Sequence, residues 1–250
     1  METASDLPFE LDSLARAENY QKWIFETIQP YLGERILEIG AGIGNMSKWL
    51  PIRERLIVSE RDPNLIQQFN HAEQNSALLS NSRSSVIQFD LTRDDLNILK
   101  KENLDTIISF NVLEHIENDR EVLQKLVCIL ENPNQKNIKK IITFVPAHQW
   151  AYGSFDKNYG HFRRYSAEGL DALLKTVVPV HAKTTFQYFN LVGLLGWLVS
   201  GKILSKQIID PTSIDLFDRL CPYIKGVDQW IHRSLKVPIG QSLLAVTEWN

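Results

Sequence analysis

The chain carries only two cysteines, Cys128 and Cys221, among 250 residues. That excludes a disulfide scaffold and suits a reducing compartment, with Cys128 falling in a helical pattern as a small core residue. The net charge of −3 lacks the basic excess that broad nucleic-acid binding needs. The one glycine-rich turn is not followed by Gly-Lys-Ser/Thr, which excludes a Walker phosphate loop. Internal repeats, low-complexity tracts and cysteine/histidine clusters with metal-ligand spacing are absent from the sequence, and no metal is expected. Met1-Glu2-Thr3-Ala4-Ser5-Asp6 is acidic and polar, unlike a signal peptide, so a cytoplasmic protein is expected.

A long uninterrupted apolar run is missing too. Thr184 to Gly201 is uncharged, and Leu191 to Val199 is strongly apolar. A spanning helix wants about 20 predominantly apolar residues. Here Gln187, Asn190 and three glycines interrupt the stretch, and its first part alternates like a strand. A buried strand followed by an apolar helix is the expectation. With 44% hydrophobic residues the chain can bury one substantial core, as a single domain over 1–250 with insertions.

What is present centres on Arg35-Ile36-Leu37-Glu38-Ile39-Gly40-Ala41-Gly42-Ile43-Gly44-Asn45. Ile36, Leu37 and Ile39 read as a buried strand, and glycines follow at alternate positions. Met46 to Leu50 is placed to start a helix. A strand, a glycine turn and a helix start form a site for a nucleotide-like ligand, because glycines admit close backbone approach. A dinucleotide fingerprint wants G-x-G-x-x-G, and Asn45 stands where its third glycine belongs. An acid, Glu38, also lies inside the strand. Leu37 to Gly44 resembles motif I of the class I S-adenosylmethionine (SAM) methyltransferases. The resemblance implies a turn, including Ala41 and Asn45, around the methionine end of SAM.

The rest of the chain extends that resemblance. Residues 11–32 read as an amphipathic helix, with Tyr20, Trp23, Ile24, Ile28 and Tyr31 on one face. Asn19, Tyr20 and Trp23 are similar to a family helix ahead of motif I, which implies a cofactor contact for Tyr20. Leu56 to Glu60 is a second strand ending on an acid that can accept hydrogen bonds from ribose hydroxyls, with Arg61 next to it. Val86 to Leu91 is a third strand, where the resemblance puts Asp90, beside Leu91, on the adenine amino group. Leu104 to Asn111 is a fourth strand; as motif IV it implies that the Asn111 carbonyl meets the SAM amino group, with Glu114 and His115 opening the next turn.

Lys139 to Pro146 is a fifth strand, and a long aromatic stretch follows it. Its residues include His148, Trp150, Tyr152, Tyr159, His161, Arg163, Arg164 and Tyr165. Aromatic walls with a few convergent polar groups describe a small-molecule pocket, and loops at the carboxyl ends of parallel strands carry function. Tyr152-Gly153-Ser154-Phe155-Asp156 and Gly160-His161-Phe162-Arg163-Arg164-Tyr165 resemble a bacterial methyltransferase subgroup associated with glycans, lipid-linked compounds or secondary metabolites. His115, His148 and His161 are the candidate bases, with a pKa suited to proton transfer. Trp150, Tyr152, Tyr159, Arg163, Arg164 and Tyr165 are candidates for holding the acceptor.

Val180 to Phe189 is a sixth strand and Ser242 to Glu248 the last. The family pattern implies an α/β fold: a seven-stranded Rossmann-like sheet, helices on both faces, and an antiparallel last strand between the fifth and sixth. Residues 1–32 form an N-terminal helical segment. About fifty residues over 190–240 form a helical insertion, expected to roof the acceptor site; its apolar content suits a hydrophobic acceptor or a homodimer contact. The reading is a SAM-dependent methyltransferase acting on oxygen or nitrogen, with carbon behind them, of a small or lipid-like acceptor. A SAM-fold partner subunit without catalysis is the alternative from another class, and a nicotinamide enzyme is disfavoured by Asn45.

Overall fold

The computed structural model describes residues 9–132, 137–206 and 209–250; the polar run Met1 to Asp6 lies outside them. The elements in order are α1 (Phe9–Arg16), α2 (Glu18–Ile28), β1 (Arg35–Ile39), β2 (Arg55–Glu60), α3 (Pro63–His71), α4 (Ser76–Leu79), β3 (Ser84–Gln88), α5 (Asn97–Lys100) and β4 (Thr106–Phe110). They continue as α6 (Asp119–Leu130), β5 (Lys139–Pro146), α7 (Ser154–Asn158), α8 (Ala167–Leu174), β6 (Lys183–Phe189), α9 (Leu191–Trp197), α10 (Pro211–Ser234) and β7 (Ser242–Trp249).

Adjacent apolar residues within the strands create the layers. Ile36 and Leu37, Ile107 and Ile108, and Ile141 and Ile142 point to opposite faces, as the two-residue period requires. Leu37, Ile107 and Ile141 pack with Leu123, Leu126 and Val127 of α6 and Leu170 of α8. Ile36, Ile108 and Ile142 pack with Trp23, Ile24 and Ile28 of α2. Strands covered on both faces read as near-continuous hydrophobic runs. The sheet order is β3-β2-β1-β4-β5-β7-β6. β7 runs antiparallel to both of its neighbours, pairing Phe144 with Leu244 and Phe186 with Ala245. The other neighbouring pairs are parallel, so β1 to β5 end at one edge.

Four expected elements differ, each for a local reason. Met46 to Leu50 makes only a 3-10 turn at Ser47–Trp49, because Pro51 holds Leu50 extended. The third strand stops at Gln88: Asp90 Oδ1 accepts from the Thr92 N–H and hydroxyl, turning the chain away. The N-terminal helix divides at Ala17, where Gln21 Nε2 donates to the Leu14 carbonyl across the break. The sixth strand begins at Lys183, after a Pro179–Ala182 turn.

The insertion follows β6 directly. Asn190 adopts φ +63° and caps α9, while the Asn190 and Leu191 N–H groups donate to Asp228 of α10. The helix continues past Trp197 as a π-helical stretch, Leu198–Ile203. α10 is clamped onto α2: Asp218 accepts from Asn19 Nδ2 and the Tyr20 N–H, and Lys225 pairs with Glu26. None of the described helices is long and apolar enough to cross a membrane.

Candidate active site

The glycine turn follows β1 at the carboxyl edge of the sheet. Gly40, Gly42 and Gly44 have φ of +70°, +59° and +89°, values that L side chains rarely adopt. A Cβ on Gly40 would strike Val112, and one on Gly42 would strike Leu11 of α1. The turn is therefore walled by the segment after β4 on one side and by the N-terminal helix on the other. Asn45 Nδ2 donates to the Leu11 carbonyl, which fixes α1 over the turn. Glu60, at the end of β2, accepts the Gly42 N–H at 2.8 Å and the Arg61 and Asp62 N–H groups at 2.8 and 3.0 Å.

Glu38 is the unusual group here. It is 1% exposed, and its Oε2 has no hydrogen-bond partner among the described residues. Burial pushes its carboxyl up to about 7; the Ser47 hydroxyl opposes this and the Glu60 charge adds to it. A buried carboxylate wants a cation or donors. The α-ammonium and sulfonium of SAM are such cations, and the left-handed glycines provide the open backbone. The residues present fit SAM.

The remaining predicted cofactor residues are distributed more widely. Asp90, Arg61, Gln88, Arg93 and Asp94 surround an open cleft of about 440 Å³ past β3. The hydrogen bond from Thr92 leads the effects that hold the Asp90 carboxyl below its usual range. The Leu91 side chain is buried in the core. Asn111 sits at the end of β4 with φ +51° and donates its N–H to the Phe144 carbonyl. Tyr20 lies apart from the turn: its ring meets Trp23, Phe189 and Phe217 edge-on, and its hydroxyl neighbours Ser242 and Asn190. Burial, foremost, raises that phenol to about 12.

On the acceptor side the structure brings together two of the three predicted histidines. The His115 and His161 rings meet edge-on at 4.6 Å, beside the fully buried Glu114. The Phe162 N–H donates to the Glu114 carbonyl at 2.8 Å, which seats the loop after β5 on the turn after β4. His161 Nδ1 lies 3.0 Å from Asp156 Oδ1, and Arg164 Nε reaches the same oxygen at 2.7 Å. His148 lies elsewhere. It stacks on Tyr188 at 4.9 Å and on Trp150, beside a shallow groove of about 400 Å³. Burial, then the Arg164 charge, holds its imidazole below the usual range.

Most residues expected to hold the acceptor instead hold the loop. Arg163 pairs with Asp119 at 2.6 Å and donates to the Glu117 carbonyl. Arg164 is buried, donates to the Ala147 carbonyl and lies over the Trp197 ring at 4.4 Å. The Tyr165 hydroxyl donates toward Asp119 and the Leu113 carbonyl, and burial raises its pKa. The Tyr152 hydroxyl donates to the His161 carbonyl. Tyr159 packs against Phe155, His161 and Trp197. Trp150 is half exposed. The insertion closes over this loop: Ser154 Oγ donates to the Gly201 carbonyl, Lys202 reaches the Trp150 carbonyl, and Phe155 meets Trp197 at 4.9 Å.

Comparison with known proteins gives this geometry its family. The family model described as a methyltransferase domain matches residues 15–177. The chain belongs to that family. It is a SAM-dependent methyltransferase with SAM as its cofactor. Among curated proteins none matches the chain. The fold is shared with the methyltransferase domain of a bacterial Hen1, CtHen1, at 11% identity and TM-score 0.55 over 94% of this chain and 100% of the other. It is shared with a SAM-dependent methyltransferase from Mesorhizobium loti at 10% identity and TM-score 0.55, over 91% and 98%. The N-methyltransferase NodS from Bradyrhizobium japonicum WM9, solved with S-adenosyl-L-homocysteine, matches at 15% identity and TM-score 0.51, over 98% and 89%.

Sequence reasoning passed over Asp156, Glu114 and Leu11 as site residues of this methyltransferase. Glu114 and His115 lie about 46 residues from His161, so spacing carries no sign that they meet. Leu11 precedes the motif I turn by 31 residues and reaches it only through the fold of α1.

Proposed function

We propose that the methyltransferase modifies an oxygen or nitrogen, and after those a carbon, of a small or lipid-like acceptor such as a secondary metabolite. The observation that carries this is the pairing of His115 with His161 at 4.6 Å, next to buried Glu114. Val112, which walls Gly40, is only three residues from His115, so this cluster adjoins the cofactor turn.

When bound, SAM supplies an electrophilic methyl group and takes the electron pair of the broken C–S bond. The chain's part is placement. Gly40, Ala41, Gly42 and Asn45 shape the methionine end, Glu60 faces the ribose with Arg61 beside it, and Glu38 and the Asn111 carbonyl meet the ammonium. Asp90 and Leu91 flank the adenine end. Holding the acceptor about 3–3.5 Å from the methyl carbon supplies most of the acceleration. His115 and His161 orient the acceptor and take its proton, and Tyr152 and Tyr159, which both touch His161, wall it.

The lipid-like reading is supported by the insertion. Leu216, Leu220, Tyr223, Val227 and Trp230 are exposed at alternating spacings of four and three, one stripe along α10. The test is methyl transfer from labelled SAM to organic-phase and aqueous metabolite fractions, after calorimetry has compared SAM with NAD. Label entering a small hydroxylated or amino compound supports the proposal. SAM binding with no transfer to any fraction favours the partner-subunit reading.

A further inference from the structure

We propose that Glu114, His115 and His161 form a binding site for a divalent transition-metal ion beside the methyl-transfer centre. One ligand atom from each of the three lies within 4.8 Å of the other two. A small metal ion at the centre of such a triangle reaches each donor at about 2.0–2.2 Å after slight closure. Two imidazoles and one carboxylate suit borderline ions of the iron, cobalt and zinc type rather than calcium or magnesium. Three protein ligands also leave coordination positions open, as sites that bind a substrate or water do.

The surroundings are those of a built site rather than a chance meeting of side chains. Glu114 is fully buried and His161 is 6% exposed, so neither is a solvated surface group. Asp156 Oδ1 takes His161 Nδ1 at 3.0 Å, which directs ligation to Nε2. A carboxylate behind a metal-binding histidine fixes its tautomer and ring angle. Asp156 is itself held by Arg164 at 2.7 Å and by the Gly153 N–H at 2.8 Å. The two chain segments that supply the ligands are joined by the Phe162-to-Glu114 backbone hydrogen bond. His115 is half-buried and gives the centre its side open to an acceptor.

This inference rests on the methyltransferase reading and narrows its acceptor to one with a hydroxyl oxygen. An oxygen at the open position would have its pKa lowered by the ion, as bound water does. Its O–H proton passes to water and its electron pair forms the new O–CH3 bond. The C–S bond breaks with its pair left on sulfur. Glu114, His115 and His161 then serve as ligands, and solvent replaces the two histidines as the proton acceptor.

The experiment uses the full chain stripped with chelator and titrated with Co²⁺ and with Mn²⁺ alone, in the absence of acceptor. Visible absorption of Co²⁺ and the loss of free Mn²⁺ resonance signal report binding directly. One ion per chain is expected for the parent. Binding should weaken at least tenfold in Glu114→Gln and in His115→Ala, and stay unchanged in His181→Ala, an exposed site. SAM affinity, measured by calorimetry on the same samples, should be equal in all four. Should Glu114→Gln fail to fold, the half-buried His115→Ala decides alone. A parent chain that binds SAM but no stoichiometric ion overturns the metal site and leaves the methyltransferase reading standing. Equal ion binding in the parent and His115→Ala overturns it too. Loss of SAM binding in the parent would instead overturn the reading beneath it.

Discussion

The Gly42 N–H donates to the Glu60 carboxylate at 2.8 Å, so the middle glycine of the turn and the acid closing β2 are one unit. The other carboxylate oxygen holds the Arg61 and Asp62 amides, which start α3. A charge-assisted hydrogen bond is worth about 1.5–3 kcal/mol. Glu60→Ala should therefore weaken SAM at least tenfold and also lower the melting temperature. Gly42→Val combines a left-handed φ with a Cβ 2.8 Å from Leu11, and should lift α1 off the turn with a similar loss. Isothermal titration is the check. Parent-like affinity in both variants would remove the cofactor from this turn.

Glu38 makes a pH prediction. Its folded pKa of about 7 lies above the ordinary carboxylate value of 4.5. The neutral form is favoured in the fold, so this contribution to stability is complete below about pH 4.5 and disappears as pH rises to 7. That gap corresponds to on the order of 3 kcal/mol. Urea unfolding between pH 4.5 and 8 should show the decline in the parent. Glu38→Gln should flatten it, because the amide is neutral throughout. SAM, bringing positive charge, should bind more tightly as pH rises through 7. A parent and Glu38→Gln that share one pH profile would refute the assignment.

How much of this was legible beforehand depends on the range of the forces involved. β5 is legible to the residue, Lys139 to Pro146, because a continuous apolar run and the closing Pro146 are local signals. The place of β7 between β5 and β6 came from the family pattern, since a strand's own residues do not name its neighbours. The loop after β5 is dense in polar and aromatic groups in the sequence itself. Its wiring was not readable: whether Arg164 faces solvent or the buried Asp156 depends on a contact eight residues away and on Trp197 from the insertion. The grouping of His161 with His115, and not with His148, is likewise a tertiary fact.

The Arg164–Asp156 pair yields a stability prediction. Both side chains are at most 1% exposed. Removing one partner of a buried pair leaves an uncompensated charge, typically about 3–5 kcal/mol. Asp156→Ala should be destabilised by that much, and Arg164→Met, which keeps the apolar stem over Trp197, by no more. The double variant should lose less than the sum of the two, because no buried charge remains unpaired. Additive losses in chemical denaturation would mean that the two groups do not act as a pair.

The last prediction separates the histidines. His148 adopts φ +65°, accepts the Gly240 N–H at Nε2 at 3.3 Å, and is stacked on Tyr188 with ring planes 3° apart. These contacts tie the end of β5 to β7's approach and to β6, which is structural work. His115 and His161 adjoin the glycine turn by way of Val112. His148→Ala should thus lower the melting temperature while keeping the single-turnover rate within a few-fold of the parent. His148→Gly should recover part of that stability, because glycine accepts the left-handed backbone at little cost. His115→Ala should behave oppositely: near-parent melting temperature and SAM affinity, with turnover slowed about 10²–10⁴-fold. Rapid-quench measurement of methyl transfer with enzyme in excess gives the rate free of product release. If His148→Ala lost turnover and His115→Ala did not, the acceptor would sit over Trp150 and Tyr188, and the methyl-transfer centre would have to be moved to that groove.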